Sequence, residues 1–142
     1  MFQNKSNNIT KKDIFKLFNQ TYFELLDFMK AYSNKNQYFD NFYRKNYIMK
    51  KTNIKIFIKT WKLAVNDKYG NEIMKNNVKY FLENDFKNEF SNSESLSKEY
   101  KLQDCIIYMK SVYYTLENDI TDKFIKYIRD LTILTDIYNK MK

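Results

Sequence analysis

The chain has 142 residues, a formal net charge of +8, one glycine, no proline and no histidine. Its length suits a single domain whose core needs neither a metal nor a disulfide. The scarcity of glycine and proline argues against all-β and α/β folds, which use these residues in turns and strand–helix corners. The missing histidines and glycines exclude a Ser–His pair, a His-containing zinc site and glycine-rich phosphate loops. We therefore expect a protein that is not an enzyme, with no catalytic residues, no metal site and no cofactor.

Helical periodicity starts after a polar N-terminal stretch, residues 1–9, which we expect to be a disordered tail. Thr10 and Asp13 have the spacing of a capping box. Apolar residues then recur every three or four positions, which predicts one helix of about twenty residues. They are Ile14, Phe18, Tyr22, Leu25, Met29 and Tyr32. A polar break follows at 33–36, and the single helical domain is expected to span 10–142.

Two more helices are predicted in the middle of the chain. The first carries Tyr38, Phe39, Phe42, Tyr43 and Tyr47. The second carries Ile54, Phe57, Ile58, Trp61 and Val65. Asn53 is a suitable N-cap for this second helix, and Gly70 is expected just after its end in a left-handed conformation. Trp61 falls on the apolar side, so we expect it to anchor the core rather than to serve as a stacking platform.

The C-terminal third has the most regular pattern. After one or two short helices between Ile73 and Phe86 and a loop at 91–95, apolar residues repeat at helical spacing from Leu102 to Met141. The phase slips between Ile120 and Phe124, which indicates either a stutter in one long helix or a turn near 117–119. We favour the turn, since Asn118 and Asp119 offer local caps. The predicted fold is all-α, a single irregular bundle of five to seven helices with a C-terminal antiparallel helical hairpin.

Positive charge is concentrated in the first part of the chain. Residues 1–80 contain 16 Lys and Arg against 6 Asp and Glu, and residues 81–142 contain 9 against 11. Within 41–66 there is no acid, and seven cations occur: Arg44, Lys45, Lys50, Lys51, Lys55, Lys59 and Lys62. This region predicts a surface for an anionic partner, which can be nucleic acid, an acidic protein or a membrane surface. The alternative is a solvated face in a lysine-rich protein.

Three other features suggest sites of lower specificity. Tyr108, Tyr113 and Tyr114 form an aromatic cluster that can serve a protein interface. Asp85 and Glu89 lie one helical turn apart, a spacing that suits a divalent cation but is also common among solvated acids. Cys105 is the one cysteine and predicts a reduced, intracellular setting. No apolar run approaches the ~20 residues of a membrane-spanning helix, so no transmembrane segment is expected.

Short stretches spread over most of the chain carry a resemblance to a group of viral proteins. They are Phe18-Asn19, Glu24-Leu25-Leu26-Asp27-Phe28, Phe57-Ile58 before Trp61 and Tyr69, Tyr80-Phe81-Leu82-Glu83-Asn84-Asp85-Phe86 and Tyr127-Ile128-Arg129-Asp130-Leu131. These stretches resemble small helical proteins of large nucleocytoplasmic DNA viruses that infect algae and protists. The resemblance implies no activity. It implies only a setting, which is the infected host cytoplasm, a viral factory or the virion.

Taken together, these features predict a non-enzymatic interaction or structural protein, such as a virion or viral-factory component. Its partner is expected to be a protein, which can be a second copy of the chain. The alternative is a nucleic-acid-binding or packaging accessory that acts through the basic residues of 41–66.

Overall fold

The computed structural model describes residues 9–32, 37–83 and 109–142, and these residues form helices and turns without a strand. The predicted all-α bundle is confirmed. The elements are α1 (Lys11–Ala31), α2 (Gln37–Thr52), α3 (Ile56–Trp61), a π-helical segment (Lys62–Asn66), α4 (Asp67–Met74), α5 (Val78–Glu83) and α6 (Asn118–Lys140). Residues 109–113 are also helical. The predicted tail, except for residue 9, and the predicted loop at 91–95 lie outside the described residues.

Helix α1 begins at the predicted capping box. The Thr10 hydroxyl accepts a hydrogen bond from the Asp13 amide at 3.1 Å, and the Asp13 carboxylate accepts one from the Thr10 amide at 3.0 Å. These bonds hold the pKa of Asp13 below its usual value, the backbone bond having the larger effect. The predicted apolar stripe is buried along its length from Ile14 to Met29. Side-chain periodicity therefore located this helix and its inward face correctly.

The core forms where α1 packs on α6, its most extensive helix contact. The rings of Phe28 and Phe124 stack across this contact with centroids 5.8 Å apart. Trp61 is fully buried edge-on against Phe18, with ring centroids 6.4 Å apart, and its indole N–H donates to Thr132 Oγ at 3.2 Å. Its expected place in the core is confirmed. The buried apolar side chains of the described residues belong to one cluster.

The middle of the chain departs from the predicted helix boundaries. Asn53 does not cap the helix that carries Trp61; α3 begins at Ile56, and no side chain of Lys55 caps it. The π-helical segment then joins α3 directly to α4, so Gly70 lies inside α4 and its φ is not positive. The predicted left-handed glycine is wrong.

Asn76 takes the left-handed position instead, with φ 67°. The Asn77 amide donates to the Glu72 carbonyl at 2.8 Å, and the Asn76 amide donates to the Ile73 carbonyl at 3.0 Å. This pair of bonds is the Schellman arrangement that ends many helices, and asparagine tolerates the left-handed conformation better than most residues. The helix therefore ends where asparagine can satisfy its last carbonyls, six residues after the glycine.

The C-terminal pattern contains a turn, as we favoured. Helical structure stops after residue 113 and resumes at Asn118. The N-cap of α6 is Glu117, and its side chain forms no cap bond. The expectation that Asn118 and Asp119 cap this helix is therefore wrong. The antiparallel hairpin stays a prediction, because residues 102–108 of its first arm lie outside the described residues.

Helix α2 lies antiparallel to α1. The Tyr22 hydroxyl donates to Asn46 Oδ1 at 2.8 Å inside the core, and Lys30 pairs with Asp40 at 3.1 Å further along. Later residues of α1 thus contact earlier residues of α2. This pairing fixes which face of α2 points to solvent.

Candidate binding surface

The solvent side of α2 carries a basic face with an apolar residue at its centre. Phe39, Phe42, Asn46 and Met49 are buried on the opposite side. The outward side also carries Asn41 and Thr52, and we call four of its residues the α2 outer face: Arg44, Lys45, Ile48 and Lys51. Ile48 is 62% exposed, more than any other large hydrophobic residue in the described part of the chain. It lies one turn after the first two cations and one turn before the third.

The cations of the α2 outer face, Arg44, Lys45 and Lys51, form no ion pair with a carboxylate of the described residues. Arg44 donates a hydrogen bond to the side-chain oxygen of its neutral neighbour Asn41 at 3.1 Å. The face therefore presents three uncompensated charges around an exposed isoleucine, an arrangement that attracts an acidic partner.

The structure divides the remaining predicted cations into separate groups. Lys55, just before α3, and Lys59, within it, are exposed one turn apart. Lys62 pairs with Asp67 at 3.2 Å, so its charge is already balanced. Lys50 lies on the other side of α2, with its ammonium 4.8 Å from the centroid of the Phe23 ring. The seven residues are therefore not one continuous stripe.

Helix α2 is held in this orientation by a carboxylate shared between two tyrosines. Asp27 of α1 accepts hydrogen bonds from the hydroxyls of Tyr43 at 2.5 Å and Tyr47 at 2.9 Å. Burial, followed by the hydrogen bond to Asp27, raises the pKa of both tyrosines. Both hydroxyls therefore stay protonated donors at neutral pH. They resist rotation of α2 about its axis and keep the α2 outer face toward solvent.

The predicted aromatic interface is only partly described. Tyr113 is half-buried and donates to a Glu83 carboxylate oxygen at 3.2 Å; burial first, then this bond, raises its pKa. Tyr114 is exposed and packs edge-on against Tyr113, with centroids 5.0 Å apart. Tyr108 lies outside the described residues. Tyr113 thus joins its segment to α5, and an interface role for these tyrosines stays a prediction.

Neither a metal-binding cluster nor a membrane-spanning helix occurs in the described ranges. Residues 9–32, 37–83 and 109–142 contain no group of three or more Cys, Asp or Glu placed to hold a metal ion. Within the same ranges, no helix is long and apolar enough to cross a bilayer. Asp85, Glu89 and Cys105 lie outside them.

Sequence reasoning missed Ile48 as a surface residue. A signal existed, because residue 48 follows residues 41, 44 and 45 at helical spacing and so belongs to the polar side of α2. An isoleucine on that side departs from the apolar periodicity of the helix. In a helix whose inward face is already formed by other apolar residues, such a departure predicts an exposed hydrophobic side chain.

Comparison of the chain with protein-family models found no match. Comparisons with curated proteins and with solved structures found no significant match either.

Proposed function

We propose that this protein is a non-enzymatic interaction protein that binds an acidic protein through the α2 outer face. The supporting observation is Ile48, which is 62% exposed between cations that have no ion-pair partner among the described residues. A partner with carboxylates around an apolar side chain gains charge attraction and apolar burial at the same place. From the resemblance to viral proteins, we propose that this interaction takes place in the infected cytoplasm, a viral factory or the virion.

A protein partner fits this face better than nucleic acid does. Phosphates would pair with Arg44, Lys45 and Lys51, but a sugar–phosphate backbone offers little apolar surface to Ile48. Two of the three cations are lysines, which lack the bidentate geometry that arginine offers to phosphate. The chain itself carries a net charge of +8, which disfavours a second copy at this face. Nucleic acid is the alternative, supported by the exposed Lys55 and Lys59 pair on α3.

Defined probes separate these partners. We would measure fluorescence anisotropy with a labelled acidic peptide that contains one central leucine, and with a matched peptide that has serine in its place. Complete burial of an isoleucine contributes about 1.5–3 kcal/mol, and Ile48 has roughly 60% of its surface still to bury. The leucine peptide should therefore bind about five- to twentyfold more tightly than the serine peptide. Single-stranded DNA, duplex DNA and RNA are titrated in parallel over a salt series.

Charge-reversal variants test the face itself. The combination R44E, K45E and K51E should abolish peptide binding. The control K75E, K79E and K123E changes the net charge equally at exposed residues elsewhere and should leave binding intact. Circular dichroism verifies that both variants keep their helix content.

Two results would contradict the proposal. The first is equal affinity for the leucine and serine peptides, since Ile48 would then contribute nothing. The second is tight, salt-dependent binding of nucleic acid that the I48S variant retains and the charge-reversal variant loses. That second result would support the nucleic-acid alternative instead.

A further inference from the structure

A groove of about 540 Å³ runs between α1 and α2, on the side of α2 away from its outer face. It is lined by one stripe of α1, which consists of residues 12, 16, 19, 23 and 27. From α2 come Tyr47 and Lys50, and Lys50 lies over the Phe23 ring. The stripe extends over about 22 Å of helix. The groove shares no residue with the α2 outer face, so its role is independent of the proposed function.

Asn19 is the unusual residue in the wall of this groove. It is only 5% exposed, and neither its amide nitrogen nor its amide oxygen has a hydrogen-bond partner among the described residues. Buried polar groups are nearly always paired, and an unpaired amide destabilises the protein that carries it. Both amide atoms are covered in this conformation, and a ligand in the groove can supply the missing partners once the Asn19 side chain turns toward it. An amide both donates and accepts, which matches the C=O and N–H of a peptide group.

Charge changes sign along the groove. Lys12 and Lys16 lie at one end, Lys50 lies over the Phe23 ring between the ends, and Glu24 and Asp27 lie two to four turns along α1 from the first two lysines. All five are exposed. A ligand with uniform charge would be repelled at one of the two ends. This arrangement disfavours nucleic acid, whose phosphates would face Glu24 and Asp27. It favours a ligand that is acidic at one end and basic at the other.

We infer that the groove between α1 and α2 binds an extended peptide segment of a partner protein, with opposite charges at its two ends. At 3.3–3.6 Å per extended residue, about six residues match the length of the stripe. The acidic end lies against Lys12 and Lys16, and the basic end lies against Glu24 and Asp27. Asn19 forms hydrogen bonds with a peptide group near the middle, beside the packed rings of Phe23 and Tyr47, whose centroids are 4.7 Å apart.

The test uses blocked hexapeptides and a ¹H–¹⁵N chemical-shift titration of the full chain. Two dipolar peptides carry a pair of glutamates at one end and a pair of lysines at the other, in the two opposite orders, and two controls carry uniform charge. One dipolar peptide should bind about tenfold more tightly than either control, a difference that one charge-assisted contact can supply. Its shift changes should lie on α1 and α2 along the groove.

Two variants separate binding from folding. N19L replaces the unpaired amide with an apolar group of similar size, so it should raise the melting temperature by a few degrees while weakening peptide binding about tenfold. A purely structural Asn19 would change stability without changing affinity. K16E should also weaken binding about tenfold, whereas K123E on α6 should not.

Three outcomes would overturn the inference. One is a uniformly charged peptide or a single-stranded oligonucleotide that binds as tightly as the better dipolar peptide. Another is N19L binding with unchanged affinity. The third is a dimer of the chain that K16E dissociates and that no peptide displaces, because a second copy would then occupy the groove.

Discussion

The buried hydrogen bond between α1 and α2 can be broken from either side. The Tyr22 hydroxyl donates to Asn46 Oδ1 at 2.8 Å, and Asn46 Nδ2 donates to the Phe42 carbonyl at 2.7 Å. Both residues are fully buried. Y22F leaves the Asn46 oxygen without this donor, and N46L removes the acceptor of the Tyr22 hydroxyl while roughly preserving volume. Because the bond fixes the register of α2 on α1, it also places the proposed binding face.

The expected magnitudes follow from complete burial. A buried polar group that loses its partner costs about 1–3 kcal/mol, so each single variant should lower the free energy of unfolding by that amount. The double variant replaces both partners with apolar groups of similar shape and should lose less than the sum of the singles. The coupling energy between the two positions should be about 1–2 kcal/mol. Each kcal/mol corresponds to a shift of about 4 °C in Tm for a chain of this size.

Urea unfolding followed by circular dichroism at 222 nm measures these energies. Equal m-values across the four proteins permit direct comparison of their midpoints. Single-variant losses that add fully in the double variant would refute the reasoning, because they would show no coupling between the two side chains. Single variants as stable as the wild type would refute it as well.

Other substitutions test helix termination and the shared carboxylate. G70A should raise the free energy of unfolding by about 0.5–1 kcal/mol, because Gly70 lies inside α4 and a methyl group would meet only Asn66 Cβ at 3.9 Å. N76A should lower the free energy of unfolding by about 1 kcal/mol, because Asn76 has a positive φ. Urea unfolding measures the stability of both variants. Destabilisation by G70A would contradict the assignment of the helix end. Burial, followed by the hydrogen bond to Asp27, raises the pKa of Tyr43, so this group stabilises the fold below the usual pKa of 10.0, and the contribution is lost as the pH rises toward the folded-state pKa. Wild type should therefore lose more stability than Y43F between about pH 9 and about pH 11, and equal losses would contradict the raised pKa of Tyr43.

Periodicity in the sequence predicts α1 and its buried face because burial itself repeats with the helix. The stripe from Ile14 to Met29 contains large apolar residues at every inward position. The helix end near residue 70 could not be located this way. Glycine adopts helical and left-handed conformations with little difference in energy, so Gly70 alone did not distinguish a helix interior from its end. The π-helical segment, which carries the helix onward to Asn76, depends on contacts between distant residues such as Asn66 and the Thr132 carbonyl.

The candidate sites were predictable in composition but not in arrangement. The run of cations in 41–66 is evident in the sequence, yet only the packing of α2 on α1 separates Lys50 from Arg44, Lys45 and Lys51. Lys12 and Lys16 lie far from Lys50 in the chain and come to the same groove through the antiparallel pairing of the two helices. Helical periodicity shows which residues share a face, but it does not show which element covers that face.

The coupling between Ile48 and an apolar residue of an acidic ligand tests the central claim most directly. Affinities of wild type and I48S for the leucine and serine peptides complete a double-mutant cycle across the proposed interface. Direct contact predicts a coupling energy of about 1–2 kcal/mol, with the leucine preference lost in I48S. A coupling energy of zero, with both proteins preferring leucine equally, would contradict the assignment of the α2 outer face as the binding surface.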